Sequence, residues 1–261
     1  AGVTQQILWS IFSPLSTGDG AIGAIPYLVE SILAGSPADA FLREGQLPSL
    51  FGLTLTIVVI LIIVYIEGIR IEIPITSTRY RGFSGTYPIK LLYTSNIPVI
   101  LVSALMANLT FFAQFLWSSY NRMNDNSIMN WIAQFDARSP GNPTGGIIYW
   151  LTPPLGLEQV AQEPFRAISY ILVFMTLCIL FARMWVEIGG LSPRAVAKSL
   201  LGAQVQIPGF RRADASVEGI LSRYIPPITI ISGGFLGLLA SSSSLLGVFG
   251  SGVGILLMID I

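Results

Sequence analysis

Histidine is absent from the chain, and its one cysteine, Cys178, has no second cysteine to pair with. The first absence removes imidazole as a metal ligand and as a general acid or base near neutral pH. The second removes an internal disulfide, so cysteine usage carries no message about redox compartment. In its apolar run Cys178 reads as a small packing residue. Charge is scarce too: Lys, Arg, Asp and Glu make up 11% of the 261 residues, against 52% hydrophobic residues. The mean hydropathy is +0.70. A soluble domain carries about 25% charged residues. A water-facing surface cannot be built from so few, and a membrane is the solvent that fits. No signal-peptide pattern is present. The chain starts "AGVTQQILW" without Met and stops in the apolar run "GILLMIDI", which reads as a piece of a longer polytopic protein.

Long apolar runs are what the chain does have. A hydrocarbon core of about 30 Å takes about 20 apolar residues to cross as a helix. Segments 50–68, 97–117, 165–187 and 225–249 meet that requirement. Segments 1–13 and 251–261 read as the end of one further span and the start of another. The expected fold class is all-α, a polytopic helical membrane protein with a single membrane domain over 1–261.

The connections alternate in charge. Segment 69–96 holds Arg70, Arg79, Arg81 and Lys90 against Glu72, with Glu67 just before it. Segment 188–224 holds Arg194, Lys198, Arg211, Arg212 and Arg223 against Asp214 and Glu218, with Glu187 just before it. Segments 14–49 and 118–164 are acidic on balance. In the first, Asp19, Glu30, Asp39 and Glu44 oppose Arg43; in the second, Asp125, Asp136, Glu158 and Glu163 oppose Arg122 and Arg138. A Lys/Arg excess marks cytoplasmic loops. The two basic segments are therefore expected inside, the two acidic ones outside. "IPYLVESILAG" (Ile25 to Gly35) has the length of a short interfacial helix. Tyr149 and Trp150 fit an aromatic belt. "NDNSIMNWIAQFDARSPGNPTGG" is polar and turn-rich, and reads as an outer loop.

Basic loops serve topology in any polytopic protein, but segment 188–224 is longer than a connector needs. Its charges also cluster at a turn, "IPGFRRAD", where Arg211 and Arg212 follow Pro208-Gly209. A projecting basic tip suits RNA phosphate or an acidic protein face. Gly233 and Gly237 have the small-xxx-small spacing of close helix packing. Ser241 to Ser244 can return hydrogen bonds to their own helix. The glycines of "GVFGSGVGILL" do not follow a strand, so they are no nucleotide loop. Asn108-Leu109-Thr110 is a glycosylation sequon inside a span. No ionisable residue lies deep in the four full spans; Arg166 and Arg183 sit near the ends of theirs, where a long side chain can snorkel. Ion-coupled carriers keep buried charges at depth, and membrane proteases need an Asp pair or a Ser with a base. A passive conduit is favoured over a secondary transporter of a small solute, and both over an enzyme. No metal or cofactor is expected.

The stretch "TYPIKLLYTSNIPVILVSALMANL", Thr86 to Leu109, resembles the SecY family, the large subunit of the Sec protein-conducting channel, in its archaeal and eukaryotic branch. "WVEIGGLSPRAVAKSL", "QIPGFRR", "RYIPPITIISGGFLGLLA" and a Gly-rich turn before "GILL" agree in the same order. The resemblance implies the second half of the SecY fold, beginning late in its fifth span and ending within its tenth. It implies a subunit that passes unfolded polypeptides across the membrane and releases signal or transmembrane segments into it. It implies a pore ring containing Ile100 and Leu257, and a polar lateral-gate position at Asn108. Arg79, Arg81, Lys90, Arg211 and Arg212 would dock the ribosome or another cytosolic partner. Further implied partners are the small single-span SecE/gamma and beta subunits, signal peptides, the nascent polypeptide and the lipid bilayer. The implied location is the plasma membrane of a prokaryote of archaeal type. Asp260 departs from the neutral residue the resemblance leads one to expect. It lies three residues after Leu257, on nearly the same helix face, which would put it in a water-filled funnel.

Overall fold

In hydrocarbon no water is at hand for backbone N–H and C=O groups, so an apolar run of span length closes its hydrogen bonds on itself as a helix. The computed structural model describes residues 2–17, 20–36, 40–41, 43, 47–77, 84–136, 139–154, 156–202, 205–206 and 214–259. α1 (Gly2–Phe12) leads through the short strands β1 (Ser16–Thr17) and β2 (Gly20–Ala21) to α2 (Ala24–Leu33). α3 (Leu50–Glu67) opens at Ser49, whose hydroxyl oxygen accepts the Gly52 N–H at 3.1 Å and satisfies a first-turn donor. β3 (Arg70–Ser77) and β4 (Ser84–Lys90) return the chain to α4 (Ile97–Tyr120). α5 (Ser127–Ile132), β5 (Gln134–Asp136), β6 (Ser139–Gly145), α6 (Ile147–Leu151) and α7 (Gly156–Gln162) follow. Last come α8 (Pro164–Ile188), α9 (Pro193–Gly202), β7 (Val205–Gln206), α10 (Asp214–Leu245) and α11 (Gly252–Ile259).

α3, α4, α10 and the run that begins with α8 are long and apolar enough to cross a membrane. Their burial is unequal: 61% of the apolar window of α10 is buried, against 22% in each of α3 and α4. α10 is therefore the centre, and the exposed faces of the others carry residues such as Leu61, Val64, Phe111, Phe112 and Phe115. α10 starts at Asp214, well before the apolar run near Ile225, so part of the basic segment is the first turns of this helix.

The most extensive helix–helix seam among the described residues joins α10 to α8. A Cβ on Gly233 would lie 2.8 Å from Ala182 Cβ, and one on Gly237 2.9 Å from both Cys178 Cβ and Met175 Cα. The two glycines thus let the backbones approach as the small-xxx-small spacing implies. Ser241 Oγ donates to Gly237 O (2.7 Å), Ser242 to Leu239 O (3.2 Å) and Ser244 to Ala240 O (2.9 Å). Ser243 differs: its hydroxyl is buried without a partner. The glycine-rich stretch after α10 is a reversal, with Gly247, Gly250 and Ser251 at φ 69°, 80° and 61°. Phe249 N–H there donates to Thr56 Oγ1 at 3.0 Å, while that hydroxyl donates to Gly52 O at 2.6 Å. α3 is thereby fixed to the α10–α11 turn.

Between the spans, the described residues make specific contacts. Arg43 donates to Ala21 O at 2.7 Å and stacks 3.7 Å over the Tyr27 ring, while Glu30 accepts the Ala21 N–H at 2.9 Å. The polar stretch after α4, expected as plain loop, folds into α5 and the β5–β6 hairpin. Trp117 Nε1 donates to Asn124 Oδ1 (2.8 Å) and Asn121 Nδ2 to Asn130 Oδ1 (2.7 Å). Phe135 is fully buried against Trp117, ring centroids 5.5 Å apart. Arg166 does not snorkel: it is buried, donates to Tyr149 O at 3.1 Å, pairs with Glu163 at 3.1 Å and lies 4.0 Å over the Tyr149 ring. A hydrogen bond from Tyr149, then one from Arg166, holds the Glu163 carboxyl below its ordinary range.

Two measurements check this packing. Gly237→Val forces a side chain into the α8 backbone and should cost about 1–3 kcal/mol. Gly234→Ala, whose Cβ would meet Ile179 Cδ1 at an ordinary 3.5 Å, should be neutral. Cys178 is the sole cysteine and is buried, so its reaction with a thiol-specific fluorophore on heating in detergent reports unfolding directly. Glu163 supplies the second. A carboxyl with a depressed folded pKa stabilises above its ordinary 4.5 and loses that contribution as the pH falls through the folded value. The Tm read by circular dichroism should fall on acidification below this range, and Glu163→Gln should flatten the fall.

Candidate functional site

Segment 69–96 carries alternating apolar residues, Ile71, Ile73 and Ile75, and then Tyr87 and Ile89. Period-2 alternation builds a sheet with one buried face. β3 and β4 pair antiparallel with Ile71 opposite Ile89 and Ile73 opposite Tyr87. Ile73 and Ile89 bury that face against Val196 and Ala197 of α9 and Leu221 and Ile225 of α10. β7 adds to the other edge of β3, with Thr76 opposite Gln206 and Ser77 opposite Val205. The described parts of the two basic segments are thus one structural unit at one end of the bundle. Lys90 sits there, 60% exposed and 3.8 Å from Glu67. At that exposure the pair contributes about 0–1 kcal/mol. Arg79, Arg81, Arg211 and Arg212 lie outside the described residues, as does Asp260.

Between β4 and α4 runs the connector Tyr93-Thr94-Ser95-Asn96, in which the side chains of Tyr93, Thr94 and Asn96 bond to three different elements. Tyr93 donates to Leu191 O at 2.7 Å, in the turn between α8 and α9. Burial, with Tyr87 beside it, pushes the Tyr93 phenol up to about 12, so it stays a donor throughout the physiological range. Thr94 Oγ1 shares a hydrogen with Ser232 Oγ of α10 at 3.1 Å. Ser95 turns the chain at φ 55°. Asn96 Nδ2 donates to Leu256 O of α11 at 2.6 Å. Asn96 occupies the N-cap position of α4 but makes no capping bond with its side chain. Asparagine is a favoured cap, and here a tertiary partner takes its amide instead. Pro98 in the first turn lacks an N–H and lowers the demand for a cap.

α4 then presents the other predicted residues. Ile100 is half-buried in its first turn, and Asn108 is exposed along its middle. Leu257, next to Leu256, is half-buried on α11. The structure therefore brings the segments of Ile100 and Leu257 together through Asn96, while Asn108 stands apart on an open face. Tyr93, Thr94 and Asn96 escaped sequence reasoning. The available signal was three polar side chains in a row before a proline-led apolar helix.

The SecY family model matches residues 1–261, the whole chain. The chain belongs to the SecY family. It is 40% identical over its full length to the protein translocase subunit SecY of Pyrococcus horikoshii, and 37% identical over 99% of its length to the protein transport protein Sec61 subunit alpha of Dictyostelium discoideum. It spans about half of these curated relatives, 56% of each. Among solved structures, one described as a protein conducting channel superposes with a TM-score of 0.78 at 34% identity, covering 99% of this chain and 54% of that one. Sec61 in the canine ribosome–channel complex from the endoplasmic reticulum gives 0.74 at 33%, with the same coverage. The helical membrane architecture is the one these SecY-family channels share.

Proposed function

We propose that the chain is part of a protein-conducting channel that passes unfolded polypeptides across a membrane and releases signal or transmembrane segments sideways into it. The observation that carries this reading is the match to the SecY family along the whole chain, with relatives named as a protein translocase subunit and a protein transport protein. The subunit performs no chemistry of its own; a partner supplies the driving force. Ile100 and Leu257 contribute to an apolar constriction. Such a ring seals against ions by dewetting and yields to any side chain without gripping it. Asn108 lies on the α4 face past which a signal segment leaves. The small SecE/gamma and beta subunits and the bilayer enclose the channel, in the plasma membrane of an archaeal-type cell.

The basic segments face the cytoplasm, where Arg79, Arg81, Lys90, Arg211 and Arg212 dock the ribosome. Two features support this: the Lys/Arg asymmetry of the loops, and the β3–β7 pairing that joins both basic segments into one unit.

Two experiments test the reading. Ile100→Ser with Leu257→Ser should raise the closed-channel ion conductance in a planar bilayer about tenfold or more, because hydroxyls stabilise water in the constriction. Parent-level conductance removes these residues from the ring. Ribosomes should bind inside-out vesicles and not right-side-out ones, more weakly as salt rises. Arg211→Glu with Arg212→Glu should weaken that binding and flatten its salt dependence. Equal binding from both vesicle types reverses the topology, and binding unchanged by the substitutions removes the two arginines from the dock.

A further inference from the structure

Asn96 touches the segments of both ring residues at once. Its backbone carbonyl accepts the N–H of Ile100 at 3.2 Å, and its side-chain amide donates to the carbonyl of Leu256, the residue before Leu257, at 2.6 Å. A carbonyl only accepts, so the atom facing it is the amide nitrogen. The carbonyl has two lone pairs, so it can take this bond and still serve its own helix. Asn96 is buried, 6% exposed, and an amide there has no water to turn to when the bond breaks.

The neighbouring bonds define what this contact does. Tyr93 and Thr94 fix the start of α4 to the α8–α9 turn and to α10. The near end of α11 is fixed separately, through the Phe249–Thr56 bond to α3. The Asn96 bond ties the far part of α11, where Leu257 sits, to α4. We propose that Asn96 is a positioning residue that clamps α11 to the start of α4, so that Leu257 and Ile100 are held in register and the closed constriction stays tight. This rests on the reading of these two residues as ring members. In a closed channel the bond holds the seal; a channel that opens by separating α4 from α11 must break it.

The test compares closed-channel ion leak in the assembled channel for three substitutions. Asn96→Ala removes the donor and should raise the leak several-fold, equally at all pH values. Asn96→Asp should leak at about pH 8, where a carboxylate faces a carbonyl and cannot donate. It should tighten toward the parent at about pH 5, because burial raises a carboxyl pKa and the protonated form donates again. Carboxylates elsewhere are shared by Asn96→Ala, so a pH response common to both variants belongs to them and counts against the clamp. Thr94→Val loses a comparable buried bond, to α10 rather than α11, and should leak like the parent. Protection of Cys178 in detergent, unchanged in all three, checks the fold. A leak in Thr94→Val equal to that of Asn96→Ala reduces Asn96 to a structural bond and overturns the proposal. So does a parent-level leak in both Asn96 variants while Ile100→Ser with Leu257→Ser leaks, an outcome that leaves the ring reading standing. Tightness of that double variant as well removes the ring itself, and the clamp with it.

Discussion

A polar group that enters the hydrocarbon can find a partner only inside the protein, and most of this structure follows from that constraint. Helices answer it for the backbone. Hydroxyls answer it locally: Ser103, Thr110, Thr176 and Thr229 each donate to the carbonyl four residues earlier. Such a bond leaves the side chain neutral toward its surroundings, so these residues sit in spans without needing a neighbour. The polar groups that reach beyond their own helix then become the specific joints. Thr56 takes the Phe249 N–H, Thr94 takes Ser232, Asn96 takes Leu256, and Arg166 takes Tyr149 and Glu163. Lipid is as apolar as leucine, so van der Waals fit and these few bonds choose which helices touch.

α10 is where those choices meet. In its membrane half the glycines admit α8, and near its start Leu221 and Ile225 receive the β3–β4 sheet. One helix thus carries both the packing of the spans and the scaffold of the basic segments. The β3–β7 pairing completes that scaffold by joining residues more than a hundred positions apart in sequence. The connector at Tyr93 to Asn96 links the same sheet to the start of α4 and bonds Thr94 to Ser232 of α10. The β3–β4 sheet and the start of α4 are therefore neighbours of one helix even though the sequence separates them.

Apolar runs and their spacing made the helical membrane class legible, because the cost of unpaired backbone in lipid leaves one local solution. The collinear motifs made the family legible. The period-2 alternation from Ile71 to Ile75 was equally readable but went unused. The three isoleucines alone can be the buried face of a strand or an irregular loop, and only the pairing to β4 decides between them. The fold of the stretch after α4 was not readable at all: its order comes from Asn121, Asn124 and Asn130 bonding to one another and from Phe135 meeting Trp117.

By itself the sequence determined which segments leave water and which residues could be small enough or polar enough to join them, since burial and helix closure are local costs fixed by side-chain chemistry. It did not determine partners. Arg166 near a helix end is free to snorkel until Tyr149 arrives from another helix. Asn96 before a helix is a capping residue until Leu256, 160 positions away, claims its amide. A hydrogen bond is a property of two groups at one distance, and for these residues only the packing of distant helices sets that distance.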